Sequence, residues 1–357
     1  MLRKSVLRSV VFRVLKRSLL LGLLIAVIAA LGLYFGSKAL NSYLDTPLSL
    51  ASSEQIDVPA GANLTRISRQ LAEAGILELP ELFTLYARFT EQTAVKVGEY
   101  NLGAGTTPRQ LLDLLNSGQV IQYQLTFPEG LNFKEWLVLL ASQPKLKKTL
   151  SGLSGEALLK ELNLEIAHPE GWFFPDTYLY SSGASDRDIL LQAHERMQEI
   201  LNEEWKGKSK KLPFSTPYEA LILASIVEKE TGVGSERAEI AGVFTRRLQK
   251  GMRLQTDPTV IYGLGDQYQG NITRRHLKQP TDYNTYVIKG LPPTPIAMPG
   301  RDALHATLHP AEGETLYFVA KGDGTHYFST TLKEHSQAVK RYQLKRRSNY
   351  RSSPNTK

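Results

Sequence analysis

The chain has no cysteine among its 357 residues. Disulfides, thiolate nucleophiles and cysteine-ligated zinc are therefore excluded. It also lacks an H-E-x-x-H pattern. His305 and His309 stand four apart and, with His326, invite a zinc reading, but no third ligand has a recognisable spacing and no metal is expected. Acidic residues are in deficit, 35 Asp and Glu against 43 Lys and Arg, for a net charge of +8. Such an excess points to membrane lipid, an anionic polymer or nucleic acid. Long uncharged apolar stretches are lacking too, with one exception.

That exception runs from Ser18 to Gly36. About 19 helical residues span ~29 Å, close to the hydrocarbon thickness of a bilayer. Arg3, Lys4, Arg8, Arg13, Lys16 and Arg17 precede it, which predicts a single-pass helix with a cytoplasmic N-terminus. The competing reading is a cleaved signal peptide. Its basic region would be unusually long, and no clear small-x-small site with a turn follows the run. With the basic flank assigned to membrane docking, no nucleic-acid partner is expected.

What is present suits a globular remainder. Hydrophobic residues make up 42% and charged residues 22%, enough for a sizeable core, and the length predicts two folded units with appendages. We expect an α+β protein: a basic cytoplasmic segment over 1–17, a transmembrane helix over 18–37, a linker over 38–52, a small βααβ module over 53–122, a mixed α+β domain over 123–340 and a basic tail over 341–357. In the module, Gln55 to Val58 reads as a strand, Asn63 caps a helix that stops at Gly75, Pro80 starts another, and Val95 to Leu102 alternates as a strand. Thr107, Pro108 and Gln110 form a capping box for a helix ending at Gly118. Val58-Pro59-Ala60-Gly61-Ala62-Asn63 resembles Phe127-Pro128-Glu129-Gly130-Leu131-Asn132; each is a strand end, a Pro-x-Gly turn and an Asn-capped helix start.

The second unit centres on Leu221 to Gly232, LILASIVEKETG. Thr216, Pro217 and Glu219 form a capping box with proline in the first turn, and Gly232 marks the stop. The predicted helix, Pro217 to Thr231, is apolar all round from Ala220 to Val227, hence buried on every side. Glu228 and Glu230 occupy its last turn, where the helix dipole and partial burial both favour the protonated form. Ile226, Val227 and Leu223 lie behind Glu230, whereas Glu228 follows the more polar Ala224 and Ser225, so Glu230 should be the more enclosed. Either the two are solvated charges flanking Lys229, or one is a general acid.

Other stretches admit two readings each. Glu170-Gly171-Trp172-Phe173-Phe174-Pro175-Asp176-Thr177-Tyr178, with Tyr180, is either a core strand with a turn or an aromatic wall for a sugar. Ser235 is expected to cap a helix ending at Lys250-Gly251. Gly251 to Tyr262, Asp282 to Tyr286 and the proline-rich Gly290 to Ile296 are either turn chemistry, with a turn at Asp257-Pro258, or site loops on a rigid scaffold. Leu316 to Ala320 and Thr325 to Ser329 flank an Asp-Gly hairpin turn.

Together, Ala224 to Thr231, Gly251 to Gly263, Tyr283-Asn284-Thr285-Tyr286, Gly290-Leu291-Pro292-Pro293 and the E-G-W-F-x-P-D-T segment at Glu170 resemble the endolytic murein transglycosylase family, the YceG-like family. The resemblance extends over nearly all the chain past the apolar run. It implies an enzyme anchored in the inner membrane, with a LysM-like module and a YceG-type catalytic domain facing the periplasm. Such enzymes cut peptidoglycan glycan strands internally, between N-acetylmuramic acid and N-acetylglucosamine, and leave 1,6-anhydro ends. That is a lyase reaction and needs no cofactor. The second glutamate of the E-K-E run, Glu230, is implied as catalytic, and peptidoglycan synthases are implied as partners. Gln255 and Asn284 are expected to bind substrate, and either they or the substrate acetamido group to stabilise the oxocarbenium charge. Two alternatives stay open: a hydrolysing muramidase with Asp257 as second carboxylate, and a non-catalytic glycan-binding scaffold.

Overall fold

The structure is a computed structural model and describes residues 2–344, with side chains from Lys16 onward. The expected basic tail past residue 344, and the side chains of Arg3, Lys4, Arg8 and Arg13, lie outside the described residues. Two compact units divide at Gln122 and Tyr123, the excursion Ser181–Gly183 joining the first.

Helix α1 runs 44 residues, Leu2–Asp45. Among the described residues it is the one helix long and apolar enough to cross a membrane, as an anchor or a signal sequence. It also continues through the first part of the segment expected to be a linker. No glycine or proline stands between Ser37 and Thr46 to stop it, and its last turns have partners. Leu44 is fully buried. The Tyr43 hydroxyl donates to the Glu78 carbonyl at 2.5 Å, and Arg109 pairs with Asp45 at 2.9 Å. Pro47 then forbids continuation.

The rest of the first unit is β1 (Glu54–Val58), α2 (Leu64–Glu73), α3 (Pro80–Phe89), β2 (Gly98–Leu102) and α4 (Pro108–Ser117). The strands pair antiparallel, Glu54 opposite Leu102 and Val58 opposite Gly98, so the order is β-α-α-β with a helix appended. Asn63 accepts from the Arg66 N–H at 2.9 Å. Thr107 and Gln110 form a reciprocal capping box, and Gly118 closes α4 with a left-handed φ of 72°. Apolar residues at helical spacing, Leu64, Ile67 and Leu71 from α2 and Leu111 and Leu115 from α4, meet Tyr100 and Leu102 of β2 in one core.

In the second unit β3 (Gln122–Thr126) and β4 (Thr177–Ser181) form one small sheet. Between them lie α5 (Phe133–Ser142) and α6 (Gly155–Leu162), and after them α7 (Asp186–Lys206). Asn132 caps α5 as Asn63 caps α2, and Gly130 and Gly61 share a left-handed φ, 77° and 78°. The similarity of the two segments is thus shared turn chemistry. The aromatic segment after Glu170 is core. Phe173 stacks on Phe133 at 5.1 Å and Trp172 on Tyr218 at 5.6 Å. Phe173 is fully buried, so it offers no face to a ligand.

Helix α8 (Pro217–Glu230) is the centre of this unit, and α9 (Gly234–Gln249), α10 (Asp257–Leu264) and α11 (Arg301–Leu308) pack on it together with α7. Its capping box at Thr216 and Glu219 is formed, and Ala220 through Val227 are buried. Gly232 is not its stop. The chain leaves through Thr231 in an extended conformation (φ −145°, ψ 134°), and the Thr231 hydroxyl accepts from the Val233 N–H at 2.9 Å. Ser235 lies inside the first turn of α9 and does not cap it. Asp257-Pro258 starts α10, since proline suits a first helical turn. The unit ends with the antiparallel hairpin β5 (Tyr317–Ala320) and β6 (His326–Ser329), α12 (Leu332–Val339) and a π-helical turn at Lys340–Leu344.

Candidate active site

The last turn of α8 opens onto a cleft of about 970 Å³, whose other walls are the start of α10, the β5–β6 hairpin and α12. Among the groups facing it are Glu230, Gln255, Thr256, Asp257, Tyr286 and His326. The volume lies at the upper end of the range for ligand pockets.

Glu230 is half-buried on this wall. Its carboxyl is pushed up from 4.5 to about 7, first by burial and then by the negative charge of Asp257, against a hydrogen bond from Thr256. That bond runs from the Thr256 hydroxyl to Glu230 Oε1. Thr256 is held in turn: its N–H donates to the Thr285 hydroxyl at 3.0 Å, and its carbonyl accepts from Thr259 at 2.8 Å. The threonines at 256, 259 and 285 therefore form a buried shelf that orients the carboxyl.

Glu228 is shielded too. Burial raises its pKa, opposed by the Gly300 N–H, and Glu129 raises it further. The Gly300 N–H reaches Oε2 at 3.0 Å and Arg237 stands 3.5 Å from Oε1. Glu228 is thus a structural tie, and the contrast between the two glutamates lies in their partners more than in the apolar stripe behind them. Lys229 points to the turn before α5, donating to the Gly130 carbonyl at 2.9 Å.

A third carboxyl escaped sequence reasoning. Glu170 is 2% exposed and accepts from the Phe133 N–H at 3.0 Å and the Tyr262 hydroxyl at 3.0 Å. Burial lifts it to about 7 as well. It is sealed beneath α5, so it secures the start of that helix, whereas Glu230 meets a cleft. Only the open neighbour separates the two chemically.

Gln255 sits in the cleft with an unusual backbone, φ 56°. Its side-chain oxygen accepts from Arg247 at 3.3 Å, and Arg247 also donates to the carbonyls of Arg253, Leu254 and Leu316 at 2.7–2.9 Å. The buried guanidinium thereby holds the loop on which Gln255 stands exposed at the cleft. Asn284 does not join it. It is 1% exposed, its amide donates to the His276 and Gln279 carbonyls at 3.1 and 2.7 Å, and its oxygen accepts from the Tyr286 N–H at 3.0 Å. All its polar capacity serves the loop that presents Tyr286, so the expectation of substrate binding is corrected. Asp257 accepts from the Tyr286 hydroxyl at 2.7 Å.

The histidines separate. His326 faces the cleft and is fastened to Glu236, which accepts from its N–H at 2.9 Å and pairs with Nδ1 at 2.8 Å. His305 and His309 lie beside Glu204, their ligand atoms within 4.8 Å of one another. Glu204 already binds Arg301 and His305, each at 2.8 Å. The proline-rich loop is a brace for α8: the Ile296 N–H donates to the Ser225 hydroxyl at 3.0 Å. Pro295 stands so close to Gly171 (φ 84°) that an added Cβ would lie 2.5 Å from its ring.

The sequence profile of the YceG-like family matches residues 56–341. The chain belongs to the YceG-like family. It is 31% identical over 304 residues to the endolytic murein transglycosylase of Bacillus subtilis (strain 168), covering 80% of this chain and 84% of that one. With the endolytic murein transglycosylase of Streptococcus pneumoniae serotype 2 it shares 28% over 352 residues, 88% of this chain but 63% of the longer pneumococcal protein. A crystal structure of a putative YceG-like protein from Listeria monocytogenes, 30% identical, aligns with a TM-score of 0.49 over 80% of this chain and 98% of that one. Within this YceG-like chain, Thr256 and Arg247 are the groups holding the candidate site that residue type alone did not mark.

Proposed function

We propose that this member of the YceG-like family is a lyase, an endolytic murein transglycosylase that cuts the N-acetylmuramic acid–N-acetylglucosamine bond within peptidoglycan strands. The carrying observation is Glu230, a carboxyl raised to about 7 at the edge of a cleft. Protonated Glu230 gives its proton to the glycosidic oxygen, and the C1–O bond breaks toward an oxocarbenium ion. The Glu230 carboxylate then takes the proton of the muramic C6 hydroxyl as that oxygen closes on C1. One carboxyl serves both steps, no water is consumed, and the product ends in 1,6-anhydro-muramic acid. The attacking hydroxyl is tethered to the sugar, so orientation supplies much of the rate. The Gln255 amide stabilises the substrate at the developing charge.

Helix α1 acts as an uncleaved inner-membrane anchor with the N-terminus cytoplasmic and both folded units periplasmic. Its unbroken course into the first unit favours this over a cleaved signal, because proteolytic release needs a locally extended site. The β-α-α-β module is read as LysM-like and glycan-binding. Nascent strands, and the synthases that make them, are the proposed substrate and partners.

Asp257, facing the same cleft, favours one second reading, a muramidase that activates water. Digestion of purified sacculi by a soluble fragment starting at Ser37, wild type beside Glu230→Gln, decides between them. Anhydro ends weigh one water less than reducing ends and should appear with wild type alone. Reducing ends would establish hydrolysis, and equal products from both proteins would remove Glu230 from the chemistry.

A further inference from the structure

Helix α3 is apolar on two faces, and only one is accounted for. Phe83 and Ala87 are fully buried in the core of the first unit. On another side Leu85 is 62% exposed and Phe89 88% exposed, while Leu79, which precedes the helix in a left-handed conformation (φ 45°), is 57% exposed. Large apolar side chains grouped this way on a soluble unit mark an interaction surface.

Their position says what they meet. Tyr86, one turn before Phe89, packs against the core of the unit; its hydroxyl accepts from Arg109 at 2.8 Å, and the same guanidinium donates to Asn41 at 3.1 Å and Asp45 at 2.9 Å. Tyr43 reaches the Glu78 and Leu79 carbonyls at 2.5 and 3.3 Å. Both ends of α3 are thus clamped to the stretch of α1 from Asn41 to Asp45. The apolar run of α1 ends at Gly36, five residues before Asn41, a rise of about 7.5 Å. The headgroup zone on each side of a bilayer is roughly 5–8 Å deep, and an interfacial helix sinks its apolar face about 5–10 Å into it. Tyr34, exposed at the end of the run, is of a residue type that settles at that boundary.

We infer that the Leu85–Phe89 face of α3 docks on the outer leaflet of the membrane that α1 crosses, so the first unit lies against the lipid surface. This rests on the anchor reading. The docked face would fix the module's orientation, since α1 alone leaves rotation about its axis free.

The chain has no cysteine, so single labels are unambiguous. Full-length Ser37→Cys, Leu85→Cys and Phe89→Cys proteins carry an environment-sensitive fluorophore in phosphatidylethanolamine–phosphatidylglycerol vesicles. Expected is a blue shift and quenching by lipids spin-labelled near the headgroup at all three sites, with protection from aqueous iodide. Quenching at Ser37 with Leu85 and Phe89 open to iodide overturns the docking and leaves the anchor. Protection of Leu85 and Phe89 without lipid quenching overturns it in favour of a protein partner. No lipid contact at Ser37 removes the anchor and the docking together.

Discussion

The Thr256 hydroxyl is the only donor aimed at the Glu230 carboxyl among the described residues, and Thr256→Val deletes that donor with little change of shape. Hydrogen bonds to charged groups are worth about 1.5–3 kcal/mol, and one pH unit corresponds to about 1.4 kcal/mol. The bond favours the ionised form, so its loss should raise the Glu230 pKa from about 7 by about one to two units. In the mechanism proposed above the free enzyme acts with Glu230 protonated. Wild-type kcat/KM for release of anhydro-muropeptides should therefore fall above pH about 7, and the variant's fall should begin one to two units higher. Thr256→Ser keeps the donor and should keep the wild-type profile. Mass-spectrometric product counts across pH 5–9 measure both. An alkaline limb that stays in place, or moves down, in Thr256→Val refutes the assignment of Glu230 as the titrating acid.

The remaining predictions concern stability. Glu170 has its folded pKa raised from 4.5 to about 7, so the folded state holds the proton more tightly. Its contribution is complete below pH 4.5 and lost as pH rises through 7, a change of about 3 kcal/mol at most. Urea titrations at pH 4.5 and 8 should show the wild type losing that much relative to Glu170→Gln. Asn284→Ala leaves two carbonyls and one N–H without partners and should cost about 2–4 kcal/mol, seen as a lowered Tm, together with weaker turnover through a displaced Tyr286. Gly171→Ala meets Pro295 and a left-handed φ at once and should lower stability by about 2 kcal/mol or more in denaturant titration.

Much of the local structure was legible because its causes are local. The capping boxes at Thr107 and Thr216 and the asparagine caps at 63 and 132 are contacts between residues three apart, and all four formed. Boundaries decided at a distance were not legible. Helix α1 runs past its apolar stretch because Arg109 and the chain near Glu78 hold its last turns. Gly232 failed as a stop because Thr231, pulled extended beneath the cleft, already ended the helix.

For the site, the pattern of α8 by itself determined that a buried helix would end in two carboxylates, and the long motif similarity implied Glu230 as the catalytic candidate. Only the tertiary structure decided what surrounds each acid. Glu228, Glu230 and Glu170 are all shielded, and no spacing along the chain shows that Glu170 is sealed under a helix while, of the two acids at the cleft, Glu228 is tied to a guanidinium and Glu230 to a threonine hydroxyl. The same holds for Gln255 and Asn284, two amides in similar loops. Whether an amide serves the backbone or a ligand depends on which carbonyls the fold brings within 3 Å of it. Burial and hydrogen bonding are sums over neighbours in space, and sequence encodes them only through the completed fold.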